Sequence, residues 1–175
     1  MRLHKRYSML LLCVLLTGLL AGCGGDKDDW RDVQDDIYRA EFQVDTGDKI
    51  AVSVDEAGRY QLVKQEGGFV MKDVGNGMVS KGDTEGSSSV TGVFLSASVA
   101  NSAVAEFRND ESFQTVSVDG KDGYQFSKEN SQGVMTYGCV VPCDDKSETY
   151  VELFSTVSEK DLENAMSNVH IAVLG

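Results

Sequence analysis

The chain has 175 residues, with 28 acidic side chains against 16 basic ones and a formal net charge of −12. This balance argues against a nucleic-acid-binding protein, because neutralising phosphates requires clustered Lys and Arg. The hydrophobic content of 41% argues against wholesale disorder, and the length is that of one domain.

The first 22 residues have the organisation of a signal peptide. Residues 1–8 carry three basic side chains and no acidic one, and residues 9–20 form an apolar run. A run of this length is typical of a signal peptide, and it is too short for a membrane-spanning helix, which needs about 20 apolar residues. The sequence therefore predicts an exported protein.

The motif Leu20-Ala21-Gly22-Cys23 follows the apolar run where a cleavage site is expected. It resembles the lipobox of bacterial lipoproteins. In that family the cysteine at the position of Cys23 receives a diacylglyceryl group on its sulfur, and cleavage between Gly22 and Cys23 makes Cys23 the new N-terminus. The resemblance implies a cell-envelope lipoprotein, anchored in the bacterial cell membrane or outer membrane and facing away from the cytoplasm. The alternative is an ordinary secretory signal in which the cysteine occupies that position by chance.

Cleavage at that site would make the exported chain more acidic. Residues 23–175 keep all 28 acidic side chains but only 13 of the 16 basic ones, so their net charge is −15. An anionic membrane surface repels such a protein, so the lipid on Cys23 has to supply the attachment. The membrane is therefore the one partner that the sequence identifies.

Residues 23–40 are expected to form an acidic tether that runs into a short helix. Trp30, Val33 and Ile37 recur at the spacing of one helical face, which predicts a helix over residues 28–40. We expect this face to pack on the following domain. The alternative is that Trp30 is an aromatic contact for a partner.

Residues 41–175 show the pattern of a single α+β domain. Apolar and polar residues alternate in short runs separated by Gly- and Asp-rich turns, which predicts an antiparallel sheet of short strands. Helical spacing appears over residues 99–107 and 159–168, and the segment 81–89 is expected to be a loop. Ser158, with Asp161 three residues on, resembles a capping box that begins the second helix. Strands and helices do not alternate regularly, which favours an α+β class with two or three flanking helices. The expected strands lie around residues 42–44, 50–54, 60–62, 69–71, 90–97, 116–118, 124–126, 134–137, 150–154 and 171–173.

The last third of the chain carries a further resemblance. The turn and aromatic hairpin Asp119-Gly120-Lys121-Asp122-Gly123-Tyr124-Gln125-Phe126 precede two strands and a helix that closes on Val169-His170-Ile171. This order resembles small surface lipoproteins of Firmicutes whose domain is similar to the PsbP-like α/β/α sandwich. The resemblance covers residues 90–171 and implies a fold but no activity and no functional residue.

Cys139 and Cys143 are the two cysteines outside the signal and anchor. An oxidising extracytoplasmic setting favours a structural disulfide between them. In an extended strand their Cα atoms would be about 13 Å apart, beyond the disulfide range of about 4.4–6.8 Å, so the bond requires a tight turn at Pro142. Free thiols are the first alternative. The second is a redox or metal site, because the Cys-x₃-Cys spacing resembles the copper-binding loop of thioredoxin-like copper chaperones, which also needs a distant histidine such as His170.

Other catalytic or metal chemistry has weak support in the sequence. His170 is the one histidine after the signal peptide, and no serine lies in a G-x-S-x-G elbow with which it could form a triad. The acidic clusters at residues 26–29, 35–36 and 144–145 do not follow the calcium-loop pattern, so they are interpreted as solvated segments. Paired carboxylates for glycoside cleavage leave no signature that can be read from spacing.

The function expected from these observations is a non-enzymatic binding or envelope-interaction module without a cofactor. Its partner would be an unknown envelope protein or a small ligand. The alternative is a thiol-redox or metal-handling lipoprotein that uses Cys139 and Cys143. A small cell-wall hydrolase is the third hypothesis.

Overall fold

A computed structural model describes residues 39–55, 60–74, 89–144 and 148–174, all within a compact unit that spans Val33–Gly175. The predicted signal peptide and the anchor Cys23 lie outside the described residues, as does most of the 81–89 loop. The helix predicted over residues 28–40 also lies outside them, except for its last two residues. Arg39 and Ala40 belong to the first strand, so that helix boundary is wrong.

The described residues form ten strands and two helices. The strands are β1 (Arg39–Gln43), β2 (Lys49–Val54), β3 (Tyr60–Gln65), β4 (Gly68–Asp73), β5 (Ser89–Ser96), β6 (Gln114–Val118), β7 (Lys121–Glu129), β8 (Met135–Pro142), β9 (Thr149–Ser155) and β10 (Val169–Leu174). The helices are α1 (Ala97–Phe107) and α2 (Glu159–Met166).

The strands are divided between two antiparallel sheets. The large sheet has the order β3-β4-β5-β9-β8-β7-β6, and the small sheet has the order β1-β2-β10. The predicted α+β class with antiparallel strands is confirmed, but the sequence indicated one sheet where the structure has two. The second sheet forms because the last strand returns to the beginning of the domain, where Ile171 pairs with Val52.

The main hydrophobic core lies between the two sheets. Ile50 and Val52 of β2 and Val151 and Leu153 of β9 are fully buried in it. Helix α2 contributes Leu162 to the same core. The apolar faces of both sheets are thereby removed from water, at roughly 25 cal/mol per Å² of apolar surface buried.

A second, smaller core lies on the opposite face of the large sheet. Ala100 of α1 packs there with Phe126 and Val140, and Leu95 packs at its margin. The predicted alternation along β5 is confirmed, because Phe94 packs against the main core while Leu95 packs against the smaller one. The large sheet is therefore covered on both faces.

Two local signals in the sequence fix the ends of elements. Asp119 and Gly120 have φ angles of 52° and 72°, so they form a two-residue turn between β6 and β7 at the start of the predicted turn and hairpin of residues 119–126. Ser158 caps α2 as predicted, since its side chain accepts a hydrogen bond from the Asp161 N–H at 3.2 Å.

Gly92 on β5 has no side chain, which leaves room for the buried ring of Phe69 from β4. A Cβ atom built on Gly92 would lie 2.3 Å from the ring of Phe69, whose side chain is fully buried. The ring is held in place by the main core, so it cannot move away without disturbing its neighbours.

Replacing Gly92 by Ala is expected to destabilise the domain by about 1–3 kcal/mol, because the added methyl group overpacks the core. Urea denaturation followed by circular dichroism measures the change in the free energy of unfolding. Ser102→Ala, on the exposed side of α1, is the control and should change it by less than about 0.5 kcal/mol. Equal stability of the Gly92→Ala and Ser102→Ala variants would contradict this packing.

Candidate functional site

A groove of about 710 Å³ opens where the β1–β2 turn, the β3–β4 turn and the end of β5 approach one another. Its volume lies in the range of small-ligand sites, about 300–1,000 Å³. The lining residues are Phe42, Gln43, Val44, Asp45, Thr46, Lys64, Gln65, Glu66, Gly67, Gly68, Phe94, Leu95, Ser96 and Thr149.

Three phenylalanine rings from both sheets meet beneath this groove. The ring centroid of Phe42, from the small sheet, lies 5.0 Å from that of Phe94 and 5.7 Å from that of Phe69. Phe69 and Phe94 of the large sheet are 6.0 Å apart, and all three pairs are tilted. Tilted pairs at these distances are favourable aromatic contacts. The groove therefore has an apolar floor that also joins the two sheets.

The rim of the groove is polar. Lys64 Nζ lies 5.5 Å from the centroid of the Phe42 ring, within cation–π range, while Asp45 and Glu66 place carboxylates around it. Among the described residues that line the groove there is no His or Cys. The arrangement suits recognition of a ligand with both apolar and polar parts, and it offers Lys64 as the one cation of the lining.

One side of the rim is held by a hydroxyl–carboxylate network. The hydroxyls of Thr46 and Thr149 donate to Asp48 Oδ2 at 2.9 and 3.0 Å, and the two hydroxyl oxygens are 2.8 Å apart. Thr149 is 2% exposed, so the network is anchored in the protein interior. It ties the β1–β2 turn to the start of β9 and keeps that side of the groove in place.

The two cysteines lie in the main core as separate, buried thiols. Strand β8 runs through Cys139 to Pro142 without a turn, and the Cys143 N–H still bonds to the Thr149 carbonyl at 3.1 Å. The tight turn predicted at residues 140–142 is therefore wrong. The predicted disulfide does not form, since an extended segment holds the two Cα atoms beyond bonding range.

The environment of the thiols is unfavourable for redox chemistry. Burial raises the pKa of both Cys139 and Cys143 to about 12, so both stay protonated near neutral pH. The thiolate is the nucleophile and metal ligand, and here it is scarce. In the part of the chain that the structure describes, no group of three or more His, Cys, Asp or Glu side chains could hold a metal ion.

His170 lies half exposed, as its position on β10 predicts, but it has two partners that the sequence did not reveal. Its Nε2 is 2.7 Å from Asp55 Oδ1, and its Nδ1 is 3.0 Å from Asp119 Oδ1. Asp119 Oδ2 accepts from the Ile171 N–H and from Lys121 Nζ, and Lys121 also donates to the Ile171 carbonyl. We call these four side chains, those of Asp55, Asp119, Lys121 and His170, the His170 clamp.

The clamp fastens the β6–β7 turn to the small sheet. Hydrogen bonds to Asp55 and Asp119 raise the pKa of His170 above its ordinary value of 6.5. Burial raises the pKa of Asp119, but hydrogen bonds from Ile171, His170 and Lys121 outweigh it and leave that pKa lowered. These contacts attach the turn that carries Asp119 to β10 and to the end of β2 electrostatically.

Glu152 is a second ionisable residue that sequence reasoning missed. It is half-buried on β9, on the side of the large sheet opposite the main core, between its strand partners Val93 and Val140. Burial raises the pKa of Glu152 to about 7. The alternation of β9 predicts that Glu152 lies on the other face of the sheet from Val151 and Leu153. Its apolar partners Val93 and Val140 lie on neighbouring strands and cannot be identified from the sequence.

Comparison of the chain with protein-family models, curated proteins and solved structures finds no match. Within the described ranges, no helix is both long and apolar enough to cross a membrane. The arguments on function therefore rest on the residues themselves.

Replacing His170 by Gln is expected to destabilise the protein by at most about 1 kcal/mol, since the clamp is partly exposed and screened by solvent. The raised pKa of His170 means that its charge stabilises the fold fully below about pH 6.5, and that this contribution is lost as pH rises through the raised value. Because the pKa of Asp119 is lowered, Asp119 stays ionised and keeps stabilising the clamp until the pH falls through that lowered pKa.

The measurement is urea denaturation of both proteins between about pH 5 and 9. Glu152 also titrates in this range, but it is present in both proteins and cancels in the difference. The difference in stability should be largest near pH 5–6 and smaller above pH 8. A difference that does not change with pH would show that the imidazolium charge contributes nothing.

The thiols of Cys139 and Cys143 are expected to resist modification in the folded protein, because both are buried and protonated. A thiol reagent that absorbs on reaction should label neither residue in buffer and both in denaturant. Fast labelling of the folded protein, or no labelling after denaturation without reductant, would contradict the structure. The second result would indicate a disulfide.

Proposed function

We propose that the protein is a lipid-anchored bacterial envelope lipoprotein whose α+β domain binds a ligand or an envelope partner without converting it chemically. The single observation that carries the binding role is the groove, whose floor is formed by Phe42 and Phe94 with Phe69 packed beneath them. The anchor is supported by the sequence motif that ends at Cys23. Together they describe a recognition domain held near the membrane surface.

The geometry of the groove supports binding in three ways. It lies between two sheets that share one core, so its walls are expected to be pre-formed and little ordering entropy is lost on binding. Its floor offers apolar contact, and its rim offers Lys64 beside carboxylates and threonine hydroxyls. Pockets that combine apolar walls with a few fixed polar groups are the usual form of ligand sites.

The finer fold proposal is a sandwich similar to the PsbP-like domain. It is supported by an antiparallel sheet that carries α1 on one face and α2 with the small sheet on the other.

The alternative of thiol-redox or metal handling by Cys139 and Cys143 receives less support. Both thiols point into the main core, and the groove does not reach them. No observation on the described residues favours this chemistry over binding at the groove.

The anchor is tested by replacing Cys23 with Ala. The variant should leave the membrane fraction, because it lacks the lipid and an anionic surface repels a domain of this charge. Fractionation of host cells followed by immunoblotting measures the distribution. Cys13→Ala, within the apolar run, is the matched control and should stay with the membrane. A Cys23→Ala protein that remains membrane-bound would refute the lipoprotein assignment.

The binding role is tested by native mass spectrometry of the protein released from its own host's membranes. A bound small molecule or partner should appear as added mass on the wild type, and Lys64→Glu should lose most of it. Lys72→Glu makes the same charge change on the neighbouring strand outside the groove lining and should keep it. Equal loss in both variants, or no added mass on the wild type, would count against the groove as the site.

A further inference from the structure

The two sheets have four edge strands among the described residues, and three of them carry features that hinder pairing with another strand. β1 carries Arg39 and Glu41, and β3 carries Lys64. The outer edge of β10 is closed at Ile171, whose N–H donates to Asp119 and whose carbonyl accepts from Lys121. Charged side chains and capped backbone groups are the usual means by which proteins keep edge strands from pairing with other chains.

The fourth edge, β6, has none of these protections. Its sequence is Gln-Thr-Val-Ser-Val, without a charge, a proline or a glycine, and Thr115 and Ser117 are exposed. In the described structure its one strand neighbour is β7. On a chain with a net charge of −12, a neutral and exposed edge of this kind is a docking edge for another strand.

The register of the β6–β7 hairpin shows which groups this edge offers. Val118 and Lys121 close the two-residue turn and form a hydrogen-bonded pair, so Val116 is hydrogen-bonded to Gly123 as well. Thr115 and Ser117 lie between these pairs, and their N–H and carbonyl groups therefore point away from β7. The described residues contribute no hydrogen bond to these four backbone groups.

We propose that β6 pairs with β6 of a second copy of this chain, antiparallel and around a two-fold axis at Val116. This register places Thr115 of one copy opposite Ser117 of the other, twice, so that all four outward backbone groups of each strand gain partners. Val116 of one copy then lies opposite Val116 of the other. Both are on the core side of the sheet, where Val116 already packs against the main core of its own domain. The two large sheets thereby become one continuous sheet.

Of the four described edges, β6 is the one at which two copies of this acidic chain can meet without opposing charged side chains on the pairing strands. Two copies of an acidic chain repel each other, and the β1 and β3 edges would add charged side chains to the contact. Opposing β6 strands bring Thr and Ser side chains together, which form favourable cross-strand pairs and no like-charge contacts. The edge is thus complementary to itself in backbone pattern and in side chains, and it carries no charge of its own.

The pairing is short, so the dimer is weak. Strand β6 contributes five residues, about 17 Å in length, whereas a stable interface has about 20–30 residues on each side. We expect a dissociation constant of about 10–1,000 μM in solution. This proposal does not depend on the groove or on the anchor, although anchoring two copies in one membrane would raise their effective concentration.

Sedimentation equilibrium of residues 24–175, which contain the whole compact unit, tests the proposal at protein concentrations up to about 1 mM. The wild type should associate to dimers. Thr115→Lys with Ser117→Lys should weaken association at least tenfold, because like charges then face each other. Thr115→Lys with Ser117→Glu should restore it, because the proposed register pairs each Lys with a Glu of the other copy.

Ser117→Pro is a second, independent variant. It removes an outward N–H but none of the hydrogen bonds to β7, so the domain should fold while association is lost. Circular dichroism and thermal unfolding of each variant confirm that the fold is kept. A monomeric wild type at 1 mM, association that both double variants leave unchanged, or association that both abolish equally would overturn the proposed pairing. Binding of a foreign extended peptide to β6 by a monomeric wild type would assign the edge to another partner.

Discussion

The structure depends on the burial of two apolar sheet faces against each other. Each sheet has an apolar face that would be unfavourable in water. In the folded domain these faces cover each other, since Ile50, Val52, Val151 and Leu153 are all fully buried in the shared core. The small sheet joins β10, the last of the described strands, to the hairpin of β1 and β2, the first of them. Closing the two ends of the domain on each other is therefore the condition for the core.

The groove and the His170 clamp both follow from this packing. Phe42 from the small sheet meets Phe69 and Phe94 from the large one, and the space above these rings is left open as the groove. At the other end of the small sheet, His170 and Asp55 meet the turn that carries Asp119. The clamp also closes the outer edge of β10, which leaves β6 as the edge without protection. Binding and self-association are thus assigned to different parts of one scaffold.

Local patterns in the sequence predicted most of the elements but not their assembly. Alternation located β2 and β9, helical spacing located α1, and Ser158 predicted the start of α2. The partners of His170 were not predictable, because Asp55 and Asp119 are 115 and 51 residues away in the chain. The contact of Phe42 with Phe69 and Phe94 was not predictable for the same reason, because it joins strands that are distant in the chain. The disulfide prediction failed because proline was taken as a turn signal, whereas Pro142 ends an extended strand.

The most direct test of the account is native-state hydrogen exchange of the backbone amides in the two sheets. If the sheets share one core, the most protected amides of β2 should exchange with the same free energy of opening as those of β9, within about 1 kcal/mol, because both then require global unfolding. Exchange of β1, β2 and β10 through a separate opening several kcal/mol below that of β9 would contradict the account. The small sheet would then be an independent unit, and the groove between the sheets would not be a fixed site.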